Sequence, residues 1–255
     1  MIKNTNILIT GATSGIGEAL ALYYAEHGAT NLFICGRNKE RLADVKKRCE
    51  EKGAKVYAEI MDVTDSESMR KWIEKSDKIA PLNIVIANAG VSTGEETEAN
   101  VRNTVQTNVC GVVNTALPVI EAFNNRVSIN THDKHLVLIA SIAGYHGLAT
   151  APSYSASKAF VKAWGEALHL SLREKHIKVS VVCPGFVRSR ITDKNTCPMP
   201  FFMEAPQAAK IIAKGIEKNK GIIAFPWPLR FSAWLLSCLP NVLSDLIYGK
   251  LPHKV

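Results

Sequence analysis

Short apolar runs alternate with helical patterns along most of this chain, and that alternation restricts the fold more than any single residue does. Runs at Ile7–Thr10, Asn31–Cys35, Lys55–Ile60, Asn83–Ala87, His135–Ala140, Lys178–Cys183 and Gly221–Ala224 read as strands. Between them, Gly15–His27, Lys39–Lys52, Ser66–Ser76, Thr97–Phe123, Ser153–Lys175 and Pro206–Lys218 carry helical spacing. Apolar strands separated by helices imply an α/β fold: a doubly wound parallel sheet of about seven strands with helices on both faces. The 255 residues suffice for one such domain with a full core and are short for two. No internal repeat or low-complexity linker interrupts the rhythm, so one domain spanning residues 1–255 is expected.

Composition narrows the setting. With 47 % hydrophobic and 21 % charged residues, wholesale disorder is excluded. Cys35, Cys49, Cys110, Cys183, Cys197 and Cys238 are scattered without a CxxC or any metal-ligand spacing. They read as reduced thiols of a cytoplasmic protein, with no metal site and no disulfide frame. Met1 to Asn6 lead straight into a strand, which leaves no room for a signal peptide. The net charge of +8 raises the question of nucleic acid. However, Lys46, Lys47, Lys71, Lys75, Lys210 and Lys214 are spread over helix faces among acids, and no basic run interleaves with aromatics. No nucleic-acid partner is expected; part of the surplus could serve an anionic cofactor.

Two stretches break the pattern. Residues 187–204 hold Pro198, Pro200, Phe201 and Phe202 without periodicity, as expected of a lid over a binding site. Residues 225–252 are apolar and contain tryptophan, but Pro226, Pro228, Arg230, Pro240, Asp245 and Lys250 divide them short of the ~20 apolar residues of a membrane span. A C-terminal helix pair near the substrate mouth or a subunit partner is the first reading. An amphipathic segment lying on a membrane is the second.

The chain opens with a strand, the glycine-rich Thr10-Gly11-Ala12-Thr13-Ser14-Gly15-Ile16-Gly17, and a helix. Glycines there let backbone approach a pyrophosphate, and the helix N-terminus offers N–H groups and a positive dipole end. A glycine trio alone can be a tight turn; its strand–turn–helix setting favours a dinucleotide cradle. At the end of the second strand, an acid would bind ribose hydroxyls and repel a 2′-phosphate. This chain has Arg37 and Asn38 there instead, and a guanidinium can fork onto phosphate oxygens, so NADP(H) is the expected cofactor. The plainer alternative is that Arg37 pairs with a neighbour such as Glu40.

Tyr154 and Lys158 are four residues apart on an expected helix, and Ser141 follows the fifth strand, where open parallel sheets place ligands. A free phenol has a pKa of about 10. A nearby ammonium favours the phenolate and would bring that value down toward proton exchange at neutral pH. Hydride transfer at a carbonyl carbon needs such a proton donor, a hydroxyl to hold the oxygen, and a cofactor.

With these motifs in order, the chain resembles the compact branch of the short-chain dehydrogenase/reductase family, to about residue 225. The resemblance implies a Rossmann-like fold and assigns Ser141 to orient the substrate oxygen, Tyr154 as general acid, and Lys158 to hold the nicotinamide ribose and tune the tyrosine. Asn108 would hold a water that completes a proton relay. Cofactor contacts are implied for Gly11, Ser14, Gly15, Ile16, Gly17, Arg37, Asn38, Asp62, Val63, Asn88, Ala89, Gly90, Tyr154, Lys158, Pro184, Gly185, Val187 and Ser189. Among these, Asp62 binds near the adenine, and Asn88-Ala89-Gly90 supports cofactor and sheet. Plainer readings stand beside these: Asp62 as a helix cap, Asn88 as a turn former, Asn108 as a helix kink and Ser141 as a strand-end turn. The chain departs from the family pattern at Ser14, where a basic residue is common, and at Ser189, where threonine is usual.

The expected reaction interconverts a ketone or aldehyde with an alcohol. Phe201, Phe202, Met203 and the apolar tail point to a lipophilic substrate, or simply cover core. An epimerase or dehydratase of the family's longer branch fits the glycine spacing and length less well. A catalytically silent NADP-binding or redox-sensing protein is the alternative from another class. The resemblance implies a homodimer or homotetramer paired through the two long helices, with Phe160, Trp164 and Leu168 facing either a partner or the sheet.

Overall fold

The computed structural model describes residues 4–126, 134–194, 198–240 and 243, apart from the side chain of residue 194. Seven strands form one sheet: β1 (Thr5–Thr10), β2 (Ala29–Gly36), β3 (Lys55–Ile60), β4 (Ile84–Ala87), β5 (His135–Ile139), β6 (Lys178–Pro184) and β7 (Ile222–Phe225). Their order is β3-β2-β1-β4-β5-β6-β7, and every pairing is parallel. The order reverses between β1 and β4, which opens a crevice at their carboxyl ends.

Parallel strands need crossovers, and helices supply them: α1 (Gly15–Glu26), α2 (Lys39–Glu50), α3 (Ser66–Ile79), α4 (Glu98–Val105), α5 (Gly111–Asn125), α6 (Pro152–Ser171), α7 (Ala205–Glu217) and α8 (Trp227–Ser237). Alternation along β1 shows how both faces are covered. Ile7 and Ile9 point into one apolar layer, with Leu20, Val45 and Ile212 from α1, α2 and α7. Leu8 points into the other, with Ile73, Phe123 and Val161 from α3, α5 and α6. Ile7, Leu8 and Ile9 are all fully buried, which is why their run reads as unbroken apolar sequence.

The expected long helix at Thr97–Phe123 is not continuous. A π-turn at Gln106–Cys110 separates α4 from α5, with the Gly111 N–H donating to the Gln106 carbonyl five residues back. Cys35, Cys49, Cys110, Cys183 and Cys238 are free thiols; Cys197 lies outside the described residues. Of the expected C-terminal helix pair, α8 is present, and the remainder of 225–252 beyond Pro240 falls outside the described residues except Leu243. Among the described residues no helix is long and apolar enough to cross a membrane.

Candidate active site

The crevice is built on the carboxyl end of β1. Gly11 turns the chain at φ +67°, a conformation that side chains resist. A Cβ on Gly17 would lie 2.4 Å from both Asn88 Nδ2 and Gly11 O, so α1 can start this close to the turn only with glycine there. Asn88 clamps the turn from β4: its Nδ2 donates to Thr10 O at 2.9 Å and to Gly11 O at 3.1 Å. In return Thr10 Oγ1 accepts the backbone N–H groups of Asn88 (3.0 Å) and Ala89 (3.1 Å). Ser14 stands at the N-cap of α1 in extended conformation, yet its side chain makes no capping bond. A helix start with no side-chain cap, behind a turn that carries glycine at positions 11 and 15, suits an anionic group.

At the ends of β2 and β3 the charges meet. Arg37 Nη1 lies 3.4 Å from Asp62 Oδ2, so the guanidinium does pair with an acid, as the plainer alternative had it, but with Asp62 and not Glu40. Burial works to raise the Asp62 pKa, but hydrogen bonds from Thr64 and the Arg37 charge outweigh it, and the carboxyl stays below its usual range. Asn38 Oδ1 caps α2 by accepting the Arg41 N–H at 2.9 Å, so this oxygen is engaged in the helix. Val63 wedges against the start of α5: a Cβ on Gly111 would meet its Cγ2 at 2.5 Å.

Ser141, Tyr154 and Lys158 come together where β5 ends and α6 begins. Ser141 Oγ accepts the Ala143 N–H at 3.1 Å and makes a long 3.4 Å contact to Pro184 O. Burial raises the Tyr154 pKa, partly offset by a side-chain hydrogen bond with Ser141. Lys158 Nζ sits 5.9 Å from the centre of the Tyr154 ring and donates to Ile139 O at 2.9 Å. Burial brings the Lys158 pKa down to about 8, against a small opposing effect of Cys183. The expected lowering of the phenol by this ammonium is therefore absent from this arrangement: desolvation dominates at both groups, and the ammonium is turned to a carbonyl.

Asn108 lies fully buried in the π-turn. Its Oδ1 accepts the Val91 N–H at 2.8 Å, while Nδ2 donates to Val91 O at 2.9 Å and Ser157 Oγ at 3.0 Å. A Cβ on Gly90 would be 3.3 Å from both Asn108 Oδ1 and Lys158 Nζ, so the Gly90 turn lies between these two polar groups. The π-turn agrees with the reading of Asn108 as a helix kink, and the Gly90 turn lies between its side chain and Lys158 Nζ.

A family of proteins described as short chain dehydrogenase matches residues 5–198 in sequence. The chain belongs to that family. An uncharacterised oxidoreductase of Myxococcus xanthus is 37 % identical over 245 residues, covering 93 % of this chain and 94 % of that protein. A short-chain dehydrogenase from Sphingobium yanoikuyae, solved in complex with NADPH, is similar with a TM-score of 0.78 at 25 % identity, over 93 % of this chain and 97 % of its own. A short chain dehydrogenase/reductase from Burkholderia phymatum, solved with NAD, shares the fold at TM-score 0.82 and 21 % identity, over 100 % and 98 % of the two chains. Family membership makes the protein an oxidoreductase of small organic substrates with a frame that holds a nicotinamide dinucleotide. Since one neighbour carries NADPH and the other NAD, the frame is common to both cofactors.

The remaining expected residues lie at and after the end of β6. Pro184 ends β6 and Gly185 follows it. Val187 pairs with Met203 in a parallel bridge, and the Arg188 N–H donates to Met203 O at 2.9 Å, which closes the base of the 187–204 segment. Arg188 Nε also reaches both carboxylate oxygens of Glu204, at 3.0 and 2.9 Å. Ser189 comes within reach of the cradle, its Cβ 2.9 Å from a Cβ built on Gly15. Phe201 and Phe202 remain 57 % and 37 % exposed, so they do not cover core, whereas Met203 packs on it. Residues 195–197 of the segment lie outside the described residues.

Three residues at the site were given no side-chain role from the sequence. Thr10 and Ser157 act through partners 78, 79 and 49 positions away, which no local pattern reveals. Arg41 is on the first turn of α2, and its Nε is buried with no hydrogen-bond partner. An orphan donor one turn from Arg37 marks a place that suits an acceptor.

Proposed function

We propose that the protein is an NADP(H)-dependent oxidoreductase that interconverts a lipophilic ketone or aldehyde with its alcohol, with Tyr154 as the general acid in reduction. The observation that carries this reading is the convergence of Ser141, Tyr154 and Lys158 where β5 ends and α6 begins, with Lys158 Nζ 5.9 Å from the centre of the Tyr154 ring. Backbone N–H groups of Gly11–Gly17, with Ser14, Ile16 and the Asn88-Ala89-Gly90 clamp behind them, would hold the pyrophosphate. Arg37, with Asn38 and the orphan Nε of Arg41, would take the 2′-phosphate, and Asp62 and Val63 would flank the adenine. Tyr154 and Lys158 would hold the nicotinamide ribose, and Pro184, Gly185, Val187 and Ser189 the carboxamide end. When bound, the reduced cofactor supplies a hydride to the carbonyl carbon.

The chain's own part is electrostatic and acid–base. Ser141 Oγ and Tyr154 Oη donate hydrogen bonds to the carbonyl oxygen as it gains negative charge, and Tyr154 gives up its phenolic proton. That proton must be replaced. Lys158 Nζ would pass one to the phenolate, and Asn108, across Gly90 from it, would hold the water that completes the relay. A phenol raised by burial is a poor donor until a cation moves close, so release of Lys158 Nζ from Ile139 O is part of activation.

Support for a lipophilic substrate comes from exposed Phe201 and Phe202 on the closing segment. Leu117 on α5 and Phe160 and Leu170 on α6 are also exposed, which supports a homodimer or homotetramer paired through these helices in the cytoplasm. The test is NADPH oxidation against a panel of ketones and aldehydes, wild type beside Tyr154→Phe. Turnover in the wild type alone is expected. NADPH binding without turnover on any carbonyl would favour the silent, cofactor-sensing alternative.

A further inference from the structure

We propose that α8 docks this protein onto an anionic membrane surface through the stripe Trp227, Phe231 and Trp234. The helix is apolar on two opposite sides. Leu229, Ala233 and Leu236 are partly buried and turn toward the body of the molecule. A Cβ on Gly185 would meet Leu229 Cδ1 at 3.0 Å, which measures how closely that side is seated. The other side has no such seat. Trp227, Phe231 and Trp234 are 73 %, 51 % and 51 % exposed, Leu235 and Cys238 are exposed beside them, and no residue of α8 is fully buried.

Spacing makes this a surface rather than scattered side chains. Positions 227, 231 and 234 fall on one helical stripe. Their rings form a row, Trp227 to Phe231 at 6.5 Å and Phe231 to Trp234 at 5.9 Å between centroids. An apolar row of this kind on a water-exposed helix is an interaction site.

Charge selects the occupant. The charged residue of α8 is Arg230, exposed on the flank of the stripe, with no carboxylate on the helix, on a chain whose net charge is +8. A second copy would bring another cation of the same sign and no carboxylate on its α8 to pair with Arg230. Anionic headgroups complement Arg230 and the positive chain, while tryptophan and phenylalanine rings settle at the headgroup–acyl boundary. With 11 residues, α8 is about 16 Å long, suited to lying in the interface and too short to span it. The helix packs against the 3₁₀ turn at Ile142–Gly144, directly after Ser141, so docking would bring the mouth of the site to the lipid surface.

The experiment is co-sedimentation of the full chain with vesicles of phosphatidylcholine and phosphatidylglycerol in equal amounts, and with phosphatidylcholine alone. The wild type should pellet with the mixed vesicles, less so as salt rises, and show a blue shift of tryptophan emission. The combined Trp227→Ser, Phe231→Ser, Trp234→Ser variant should bind about tenfold more weakly or worse. Arg230→Glu, which leaves the rings in place, should also weaken binding to the mixed vesicles, so the proposal is testable even if the triple variant fails to fold. A wild type that stays in the supernatant would overturn it, as would a folded triple variant that pellets undiminished. A dimer in sedimentation velocity that dissociates in the triple variant, with no vesicle binding by the wild type, would assign the stripe to a second copy.

Discussion

Arg37 Nη1 stands 3.4 Å from Asp62 Oδ2 where β2 and β3 end, and both side chains are substantially open to solvent. An exposed pair of this kind is worth about 1 kcal/mol or less, so Asp62 positions the guanidinium without consuming it. A 2′-phosphate offers charge-assisted bonds of about 1.5–3 kcal/mol. Arg37→Ala should therefore raise the KM for NADPH by roughly 10- to 100-fold while changing that for NADH little. Initial-rate kinetics with the two cofactors check this; equal losses with both would remove the NADP(H) assignment.

Tyr154→Phe deletes one hydroxyl and keeps the ring that packs beside Lys158. Loss of a positioned proton donor should lower kcat by about 10²- to 10⁴-fold. NADPH affinity measured by fluorescence titration and the melting temperature should stay near wild type. A variant with full turnover would place the proton donor elsewhere.

Lys158 is held at about 8 in the folded chain against an ordinary 10.5, because its surroundings disfavour the cation. Between those values the unfolded chain binds a proton that the folded chain does not, so this group adds stability as pH rises through the window. The contribution is lost as pH falls toward about 8. Lys158→Met removes the titration. The unfolding free energy of wild type relative to the variant, from urea denaturation, should climb by a few kcal/mol across that interval. A flat difference would show that the ammonium is not desolvated as the structure has it.

Thr10→Val keeps the shape of the strand end but strips the acceptor from two N–H groups, those of Asn88 and Ala89. Leaving buried donors unpaired costs about 1–3 kcal/mol each. Denaturant unfolding should show a loss of about 2–4 kcal/mol, and cofactor affinity should fall with it because the same bonds hold the cradle together.

Much of this was legible in the chain because the informative signals are local. The strand expected at Lys55–Ile60 coincides with β3, and the starts of α1 and α2 fall where glycine and Asn38 put them. The π-turn escaped because the apolar periodicity runs on through it. What stabilises the extra residue is Asn108 bonding both backbone groups of Val91, 17 positions away. The spacing of Phe160, Trp164 and Leu168 predicted a stripe but not its destination: Trp164 and Leu168 pack toward the sheet, while Phe160 stays partly in solvent. Arg37 likewise chose a partner 25 positions on, over the neighbouring Glu40, because β2 and β3 end side by side.

The rung between Val187 and Met203 has an evolutionary consequence. It ties the two ends of the segment together, so past Ser189, which reaches the cradle, residues can be added or removed at small entropic cost and without disturbing the strand register. Descendants of this gene can therefore change what they recognise by editing one segment, while the machinery beneath is inherited unaltered.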